Sequence, residues 1–305
     1  MLRVADLFSG VGGLSLGFQR AGFDLVGSFD SWDRAVEVYK KNFKHPSYVE
    51  DLSDAAKVIP KIAALSPQLI IGGPPCQDFS QAGKRNEGGR ANLTHIFSKI
   101  VTELRPDMFI MENVARAESS KAYKMAQEEF RKAGYGLTEI VLDASLCGVP
   151  QKRKRFFCIG KMNEYEQFLL GAIRAAMTKE PMTLRRFFGS EMEFEHYYRH
   201  PRNYSRRAIF SIDEPAPTMR GVNRPVSPNY PGHAGDTAAK SDVRALTTLE
   251  RARIQTFPKS FKWIGTKTDV EQMIGNAVPV KLAEFVAGIV MSYLKRNETG
   301  VLQLA

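Results

Sequence analysis

Arg3-Val-Ala-Asp6-Leu-Phe8-Ser-Gly10-Val-Gly12-Gly13-Leu14 decides the fold. An apolar run of strand length over Leu2 to Phe8 meets a glycine-rich turn, and a helix-period segment follows from Leu14 to Arg20, closed by Gly22. The same unit recurs along the first 160 residues. Strands are predicted at Asp24 to Phe29, Tyr48-Val49, Leu69 to Ile71, Met108 to Met111, Ile140 to Leu142 and Phe156 to Ile159. Helices are predicted at Arg34 to Phe43, Ala55 to Leu65, Leu93 to Leu104 and Lys121 to Ala133. Strands alternating with helices mean βαβ units, hence an α/β fold: a mostly parallel sheet with helices on both faces. From about Ala175 to Val270 the rhythm fails, clear helices vanish, and Pro215, Pro217, Pro225, Pro228 and Pro231 punctuate the chain. This predicts a larger lobe from 1–175 and 271–305 and a smaller irregular lobe from 176–270. Helix period returns over Val280 to Tyr293, and the tail from Asn297 is expected to fray.

The bulk properties fit an ordinary globular protein: 305 residues, 43% hydrophobic and 25% charged. No run of about eighteen apolar residues occurs, so no membrane span is expected. Met1-Leu-Arg-Val-Ala-Asp6 enters a strand at once and leaves no room for a signal peptide. Cys76, Cys147 and Cys158 form neither a disulfide framework nor a zinc spacing, which suits a reducing cytoplasm and no bound metal. With 43 Lys and Arg against 33 Asp and Glu, the formal charge is +10, compatible with a polyanionic partner.

Five chemical side chains fall at the carboxyl ends of the predicted strands: Asp6, Asp30, Asp51, Cys76 and Glu112. Ligands of open α/β sheets bind outside those ends. Taken singly, each acid would read as a helix cap; the set of five reads as a site. Cys76 stands on the turn Gly72-Gly73-Pro74-Pro75-Cys76-Gln77, directly after the buried-strand pattern Gln68-Leu-Ile-Ile71. The first turn does not complete a dinucleotide fingerprint, because Ser15 fills the third glycine slot, and no Lys-Ser/Thr pair follows to make a triphosphate loop. What remains is a cradle for a ligand without pyrophosphate, with Asp30 placed for ribose hydroxyls; S-adenosyl-L-methionine fits.

Asp6-Leu-Phe-Ser-Gly-Val-Gly-Gly13, Gly73-Pro-Pro-Cys-Gln77 with Phe79-Ser80, Glu112-Asn113-Val114, Gln151-Lys-Arg153-Lys-Arg155 and Gly275-Asn276-Ala-Val278-Pro occur in that order. Before the last of them stand Arg244-Ala-Leu-Thr247 and Glu250-Arg-Ala-Arg253-Ile-Gln255-Thr-Phe257-Pro258. This ordered set resembles the motifs of DNA cytosine-5 methyltransferases, from the first residues to about residue 285. The resemblance implies a Rossmann-like class I methyltransferase sheet plus a target-recognition domain at 176–270. It implies transfer of a methyl group from S-adenosyl-L-methionine to C5 of a flipped-out cytosine in duplex DNA. Cys76 would be the thiolate that adds at C6, Glu112 the group at N3 and Arg155 the holder of O2, while Arg153 positions the catalytic loop. Phe8, Gly10, Gly12, Gly13, Asp30, Asp51, Leu52, Pro75, Asn276 and Val278 would hold the cofactor. One departure stands out: the family's hydrophobic or aromatic slot after the ribose acid is Ser31, followed by Trp32.

Gln81 to Arg90, polar and glycine-rich, reads as a lid, with Lys84 and Arg90 as DNA contacts. Residues 199–224 carry six arginines, Arg199, Arg202, Arg206, Arg207, Arg220 and Arg224, against Asp213 and Glu214. Arg202, Arg206, Arg207, Arg220 and Arg224 are the candidate DNA contacts there, near Thr218-Met219, which resembles the Thr-hydrophobic pair of the family's recognition region. Expected partners are double-stranded DNA and a cognate restriction endonuclease, for a cytoplasmic, nucleoid-associated monomer. Two rival readings stand: a tRNA cytosine methyltransferase on the same scaffold, and a catalytically silent DNA-binding relative.

Overall fold

The computed structural model describes residues 2–75 and 93–298. Cys76, Lys84, Arg90, the expected lid over 81–90 and the end of the tail lie outside the described residues. The chain forms two compact units. The first comprises Met1–Leu142, Lys154–Met177 and Ala283–Ala305, and the second Asp143–Arg153 and Thr178–Leu282.

In the first unit β1 (Arg3–Leu7), α1 (Gly13–Arg20), β2 (Asp24–Asp30), α2 (Asp33–Asn42) and β3 (Ser47–Val49) follow one another. Then come α3 (Ala55–Ala63), β4 (Leu69–Gly72), α4 (Leu93–Leu104), β5 (Met108–Val114), α5 (Lys121–Lys132) and β6 (Tyr135–Asp143). After β7 (Gln151–Lys152), which belongs to the second unit, β8 (Lys154–Met162) and α6 (Leu170–Ala176) return to the first. Seven strands form one sheet in the order β3-β2-β1-β4-β5-β8-β6. The pairs from β3 to β5 are parallel, and β8 runs antiparallel to β5.

The chain winds outward from β1 to β3, then crosses back to β4 on the other side of β1. With right-handed crossovers, that reversal puts α1 and α2 on one face of the sheet and α3 and α4 on the other. The packing agrees. Ala5, Leu7, Ile70, Phe109, Met111, Phe156 and Cys158 share one buried cluster with Val58 and Ile62 of α3, Phe97 and Val101 of α4, and Phe130 of α5. Asp6, one residue out of phase, meets Ser15 of α1 on the other face. Leu69, Ile70 and Ile71 are fully buried, as a strand covered on both faces must be. Caps fix the helix starts: the Asp54 side chain accepts from Lys57 N before α3, and Ser120 from Tyr123 N before α5.

The second unit holds α7 (Leu184–Phe188), the antiparallel pair β9 (His196–Tyr198) and β10 (Ile209–Ser211), and β11 (Ala216–Pro217) beside β7. It also contains α8 (Thr248–Ile254) and α9 (Lys267–Asn276), while α10 (Val280–Glu298) begins there and continues in the first unit. Its core gathers Leu184, Tyr197, Ile212, Ala216, Met219, Leu246 and Ile254. The expectation that helices vanish over 175–270 is corrected by α7 and α8. Thr247 and Glu250 form a reciprocal capping box at the start of α8, a signal present in the sequence. Residues 143–153 join this unit because Gln151 bonds Gln255 and Arg153 bonds backbone at 219, 275 and 277. Lys267–Asn297 has the length and apolarity of a membrane span. It is two helices broken near Pro279, with half of the apolar window buried in the protein.

Candidate active site

The order β3-β2-β1-β4-β5 sets the ends of these strands side by side, with the winding reversal between β1 and β4. Phe8 follows β1, Asp30 ends β2, Asp51 follows β3, and Gly73-Pro74-Pro75 leaves β4. At that reversal neighbouring connections leave in opposite directions and open a crevice.

The turn after β1 is held in the left-handed region. Phe8 has φ 57°, Gly10 52° and Gly12 89°. For Phe8 this is a sterically costly conformation of the kind found at ligand clamps. Gly12 permits no side chain at all: a Cβ there would stand 2.5 Å from the Phe43 ring and 2.7 Å from Tyr39. Asp30 organises the turn. Its Oδ2 accepts from Gly10 N at 2.7 Å and its Oδ1 from Trp32 N at 2.8 Å. Burial nevertheless raises its carboxyl above the ordinary range, against those two bonds. Ser31 is exposed, and Trp32, half-buried, is the N-cap residue of α2. Asp51 is exposed, its carboxyl lowered by the backbone N–H of Ser53 at 2.9 Å. Leu52 is buried in the sheet core, and Pro75 is exposed.

Asp6 does not face this edge with the other acids; it is fully buried. Ser15 Oγ donates to its Oδ2 at 2.6 Å, Tyr39 OH donates to Ser15 Oγ at 2.6 Å, and His45 Nε2 lies 2.7 Å from the Tyr39 hydroxyl. Burial pushes the Asp6 carboxyl up to about 7. Its Oδ1 has no partner among the described residues. Sequence reading missed this hydrogen-bonded series: Ser15 registered only as a missing glycine, and Tyr39 passed without remark inside the helix predicted over Arg34 to Phe43.

On the other side of the reversal stands Glu112. Gly72 pairs with Met111, so Gly73 comes level with Glu112, and a Cβ on Gly73 would lie 3.2 Å from Glu112 Oε2. Arg155 Nε sits 2.8 Å from Glu112 Oε1. The β5–β8 register explains the pair: Glu112 opposes Phe157, and Arg155 is its diagonal neighbour on the same face. Burial lowers the Arg155 guanidinium from its ordinary range, and Glu112 opposes that shift. Asn113 Nδ2 donates to Pro74 O at 3.0 Å, and its Oδ1 accepts from Val114 N at 2.8 Å. Asn113 thus braces the Pro-Pro turn that leads to residue 76. Cys147 and Cys158 are buried, and burial pushes the Cys147 thiol up to about 12 and that of Cys158 higher still. Neither is a nucleophile at neutral pH.

The family model for C-5 cytosine-specific DNA methylases matches residues 2–291. The chain belongs to that family. Type II methyltransferase M.HindV of Haemophilus influenzae is 52% identical over 297 residues, 96% of this chain and 98% of the relative. Type II methyltransferase M.HgiDI of Herpetosiphon aurantiacus is 50% identical over 304 residues, 99% and 98% of the two chains. Among solved structures, S. pombe Dnmt2 methyltransferase aligns with TM-score 0.72 at 19% identity, covering 96% of this chain and 99% of that one, a likeness of fold. This protein is therefore a C-5 cytosine DNA methyltransferase with the α/β class I methyltransferase fold.

The remaining candidate residues of this methyltransferase lie in the second unit. Arg153, grouped with the catalytic residues on sequence, is 2% exposed. Its guanidinium donates to the carbonyls of Met219 (3.1 Å), Gly275 (3.0 Å) and Ala277 (3.1 Å). Both terminal nitrogens serve backbone oxygens, which tie Arg153 to the chain at 219, 275 and 277. Asn276 is exposed at the end of α9, its Oδ1 accepting from Gln272, and Val278 is buried. Arg207 pairs with Glu214 and lies 4.3 Å over the Phe210 ring. Arg202, Arg206 and Arg224 are exposed, and Arg220 is half-buried.

Proposed function

We propose that this methyltransferase moves a methyl group from S-adenosyl-L-methionine to C5 of a cytosine flipped out of a specific duplex DNA sequence, through a bond between Cys76 and C6. The observation that carries the reading is the buried Glu112–Arg155 pair set against the turn that leads to Cys76.

The turn after β1 fits the cofactor. Its glycines admit no side chain at Gly12, the Asp30 carboxylate is anchored with lone pairs left for hydroxyl donors, and Phe8 is held in a strained conformation beside them. Phe8, Gly10, Gly12, Gly13, Asp30, Asp51, Leu52 and Pro75 are the residues of this unit that would hold it. The bound sulfonium supplies an electrophilic methyl group.

Cytosine C5 is a poor nucleophile until a thiolate adds at C6, and Cys76 is assigned that addition. Addition is easier when N3 is protonated or receives a hydrogen bond, the part assigned to Glu112. Arg155, alongside, keeps Glu112 in place through Nε and donates from Nη1 to Lys154 O at 2.8 Å, which leaves Nη2 for cytosine O2. Asn113 holds the backbone of the nucleophile's turn while the bond forms and breaks. High identity to two type II methyltransferases supports a role in restriction and modification beside a cognate endonuclease.

A duplex containing 5-fluorocytosine tests the proposal, because methyl transfer then leaves the enzyme bound to DNA through sulfur. A denaturation-resistant complex is expected from the unaltered protein and none from Cys76→Ala. Absence of the complex on duplex DNA, with methylation of tRNA instead, would sink the DNA reading. Bisulfite sequencing of DNA from expressing cells then maps the target.

A further inference from the structure

The basic residues of the second unit divide by partner. Of the two acids within residues 199–224, Asp213 is taken by Arg185, at 2.5 Å, and Glu214 by Arg207. Arg199, Arg202, Arg220 and Arg224 gain no carboxylate among the described residues. Arg199 and Arg224 line a concavity with Tyr198, His200, Val222 and Arg251, and Arg202 and Arg220 are charge neighbours of that group. Arg251 pairs with buried Glu271, the single carboxylate bonded to any of these five arginines among the described residues. Five guanidinium groups therefore meet one counter-charge. Burial, and then the neighbouring Arg220, Arg251 and Arg202, pull Arg199 down to about 10. Such crowding costs free energy unless an anion completes it.

The individual fixings differ. Arg199 donates to Thr218 O at 2.7 Å and Arg251 to Arg220 O, so both are tied into the scaffold. Arg220 is half-buried and donates to His200 O. Its backbone is immobilised as well, since a Cβ on Gly275 would lie 2.2 Å from Gly221 N. Arg202 and Arg224 are exposed and make no hydrogen bond or ion pair among the described residues. A bidentate contact to the N7/O6 edge of guanine requires a fork held in place, whereas phosphate contacts tolerate a mobile one.

We infer that Arg220 reads a guanine in the target duplex while Arg202 and Arg224 hold flanking phosphates. The inference rests on the duplex-DNA substrate proposed above and assigns the work within it. Arg207, held by Glu214, is given no part in base reading.

The test uses fluorescence anisotropy of the full chain on a duplex carrying the mapped target, on the same duplex with 7-deazaguanine at each guanine in turn, and on an unrelated duplex. Arg202→Gln and Arg224→Gln are each expected to weaken binding to target and unrelated duplex alike, and to reduce the log–log salt slope by about 1. Arg220→Ala is expected to lose about 5- to 150-fold on the target and little on the unrelated duplex. It should also become indifferent to one 7-deazaguanine position that penalises the unaltered protein. Arg220→Lys, which keeps the charge without the fork, should lose the same discrimination. Exposed Arg174→Ala, in α6 of the first unit, controls for the loss of one positive charge and should change neither readout. Unchanged salt slopes in both phosphate variants, or intact discrimination by Arg220→Ala and Arg220→Lys, would overturn the inference while leaving the DNA substrate standing. Failure of the unaltered protein to bind any duplex would instead remove that substrate.

Discussion

Arg155 Nε lies 2.8 Å from Glu112 Oε1, with the two side chains 14% and 9% exposed. A pair this buried has given up water on both sides, so each partner depends on the other. The pair joins two sequence motifs more than forty positions apart, and it does so through the antiparallel register of β5 and β8.

Arg155→Ala strands a carboxylate inside the sheet. Unfolding in urea at pH 7 is expected to show a loss of about 3–5 kcal/mol. In Glu112→Gln/Arg155→Ala the stranded charge is gone, and part of the loss should return. If the double variant is as unstable as the sum of the two single ones, the pair is not coupled and the shared role fails. Glu112→Gln alone should lower kcat about 100- to 10,000-fold with little change in cofactor affinity by calorimetry.

Asp6 gives a pH signature. Its carboxyl, raised to about 7 in the folded protein, titrates near 3.9 when unfolded. Between those values the folded state holds the extra proton, so stability falls as pH rises from about 4 to about 7 and then levels. The lost stabilisation amounts to at most about 4 kcal/mol. Asp30 is raised as well, so the comparison is made between proteins rather than read from one curve. Asp6→Asn keeps an acceptor for Ser15 and is expected to show a flatter stability profile over that window. An unchanged slope in guanidinium denaturation from pH 4.5 to 8 would show that Asp6 is ionised throughout.

The sheet was legible in the sequence because each strand has a short apolar run and each helix a period and a stop. Leu69 to Ile71, bounded by Pro67 and Gly72, leaves one reading, and β4 lies there. The antiparallel β8 was not legible: Phe156 to Ile159 is apolar on both faces whichever way it runs. Motifs located Glu112, Arg155 and Asn113, but not the diagonal register that joins the first two. Arg153 and Arg155 look equivalent in Gln-Lys-Arg-Lys-Arg. Only the fold shows one guanidinium spent on three carbonyls and the other on a carboxylate. The division among the lobe's arginines was equally hidden, because their partners are chosen in space.

Arg153 therefore separates positioning from chemistry. Arg153→Ala removes a buried guanidinium and leaves the carbonyls of Met219, Gly275 and Ala277 without it. A destabilisation of about 3–5 kcal/mol is expected, from several charge-assisted bonds of about 1.5–3 kcal/mol each, partly offset by relaxation. Lysine cannot span three acceptors from one point charge, so Arg153→Lys should recover less than half. If Arg153→Lys folds as stably as the unaltered protein yet loses kcat, Arg153 belongs with the reacting groups and not with the scaffold.

Gly12 tests the cradle itself. At φ 89° an alanine costs about 1–2 kcal/mol in backbone strain alone. Its Cβ would also press on Phe43 and Tyr39, whose rings stack 4.1 Å apart in the core and have no room to yield. Overpacking of that kind adds about 1–3 kcal/mol. Gly12→Ala is thus expected to lower stability by about 2–5 kcal/mol. Cofactor affinity should fall with it, because the turn must shift to make space. Gly171 offers the contrast. It lies exposed in α6 with nothing within 4 Å of its ideal Cβ, so Gly171→Ala should be neutral or stabilising by up to about 1 kcal/mol. Thermal melts with and without S-adenosyl-L-methionine decide the matter. If Gly12→Ala melts with Gly171→Ala and gains the same ligand-induced shift, the turn after β1 is not the cofactor's cradle.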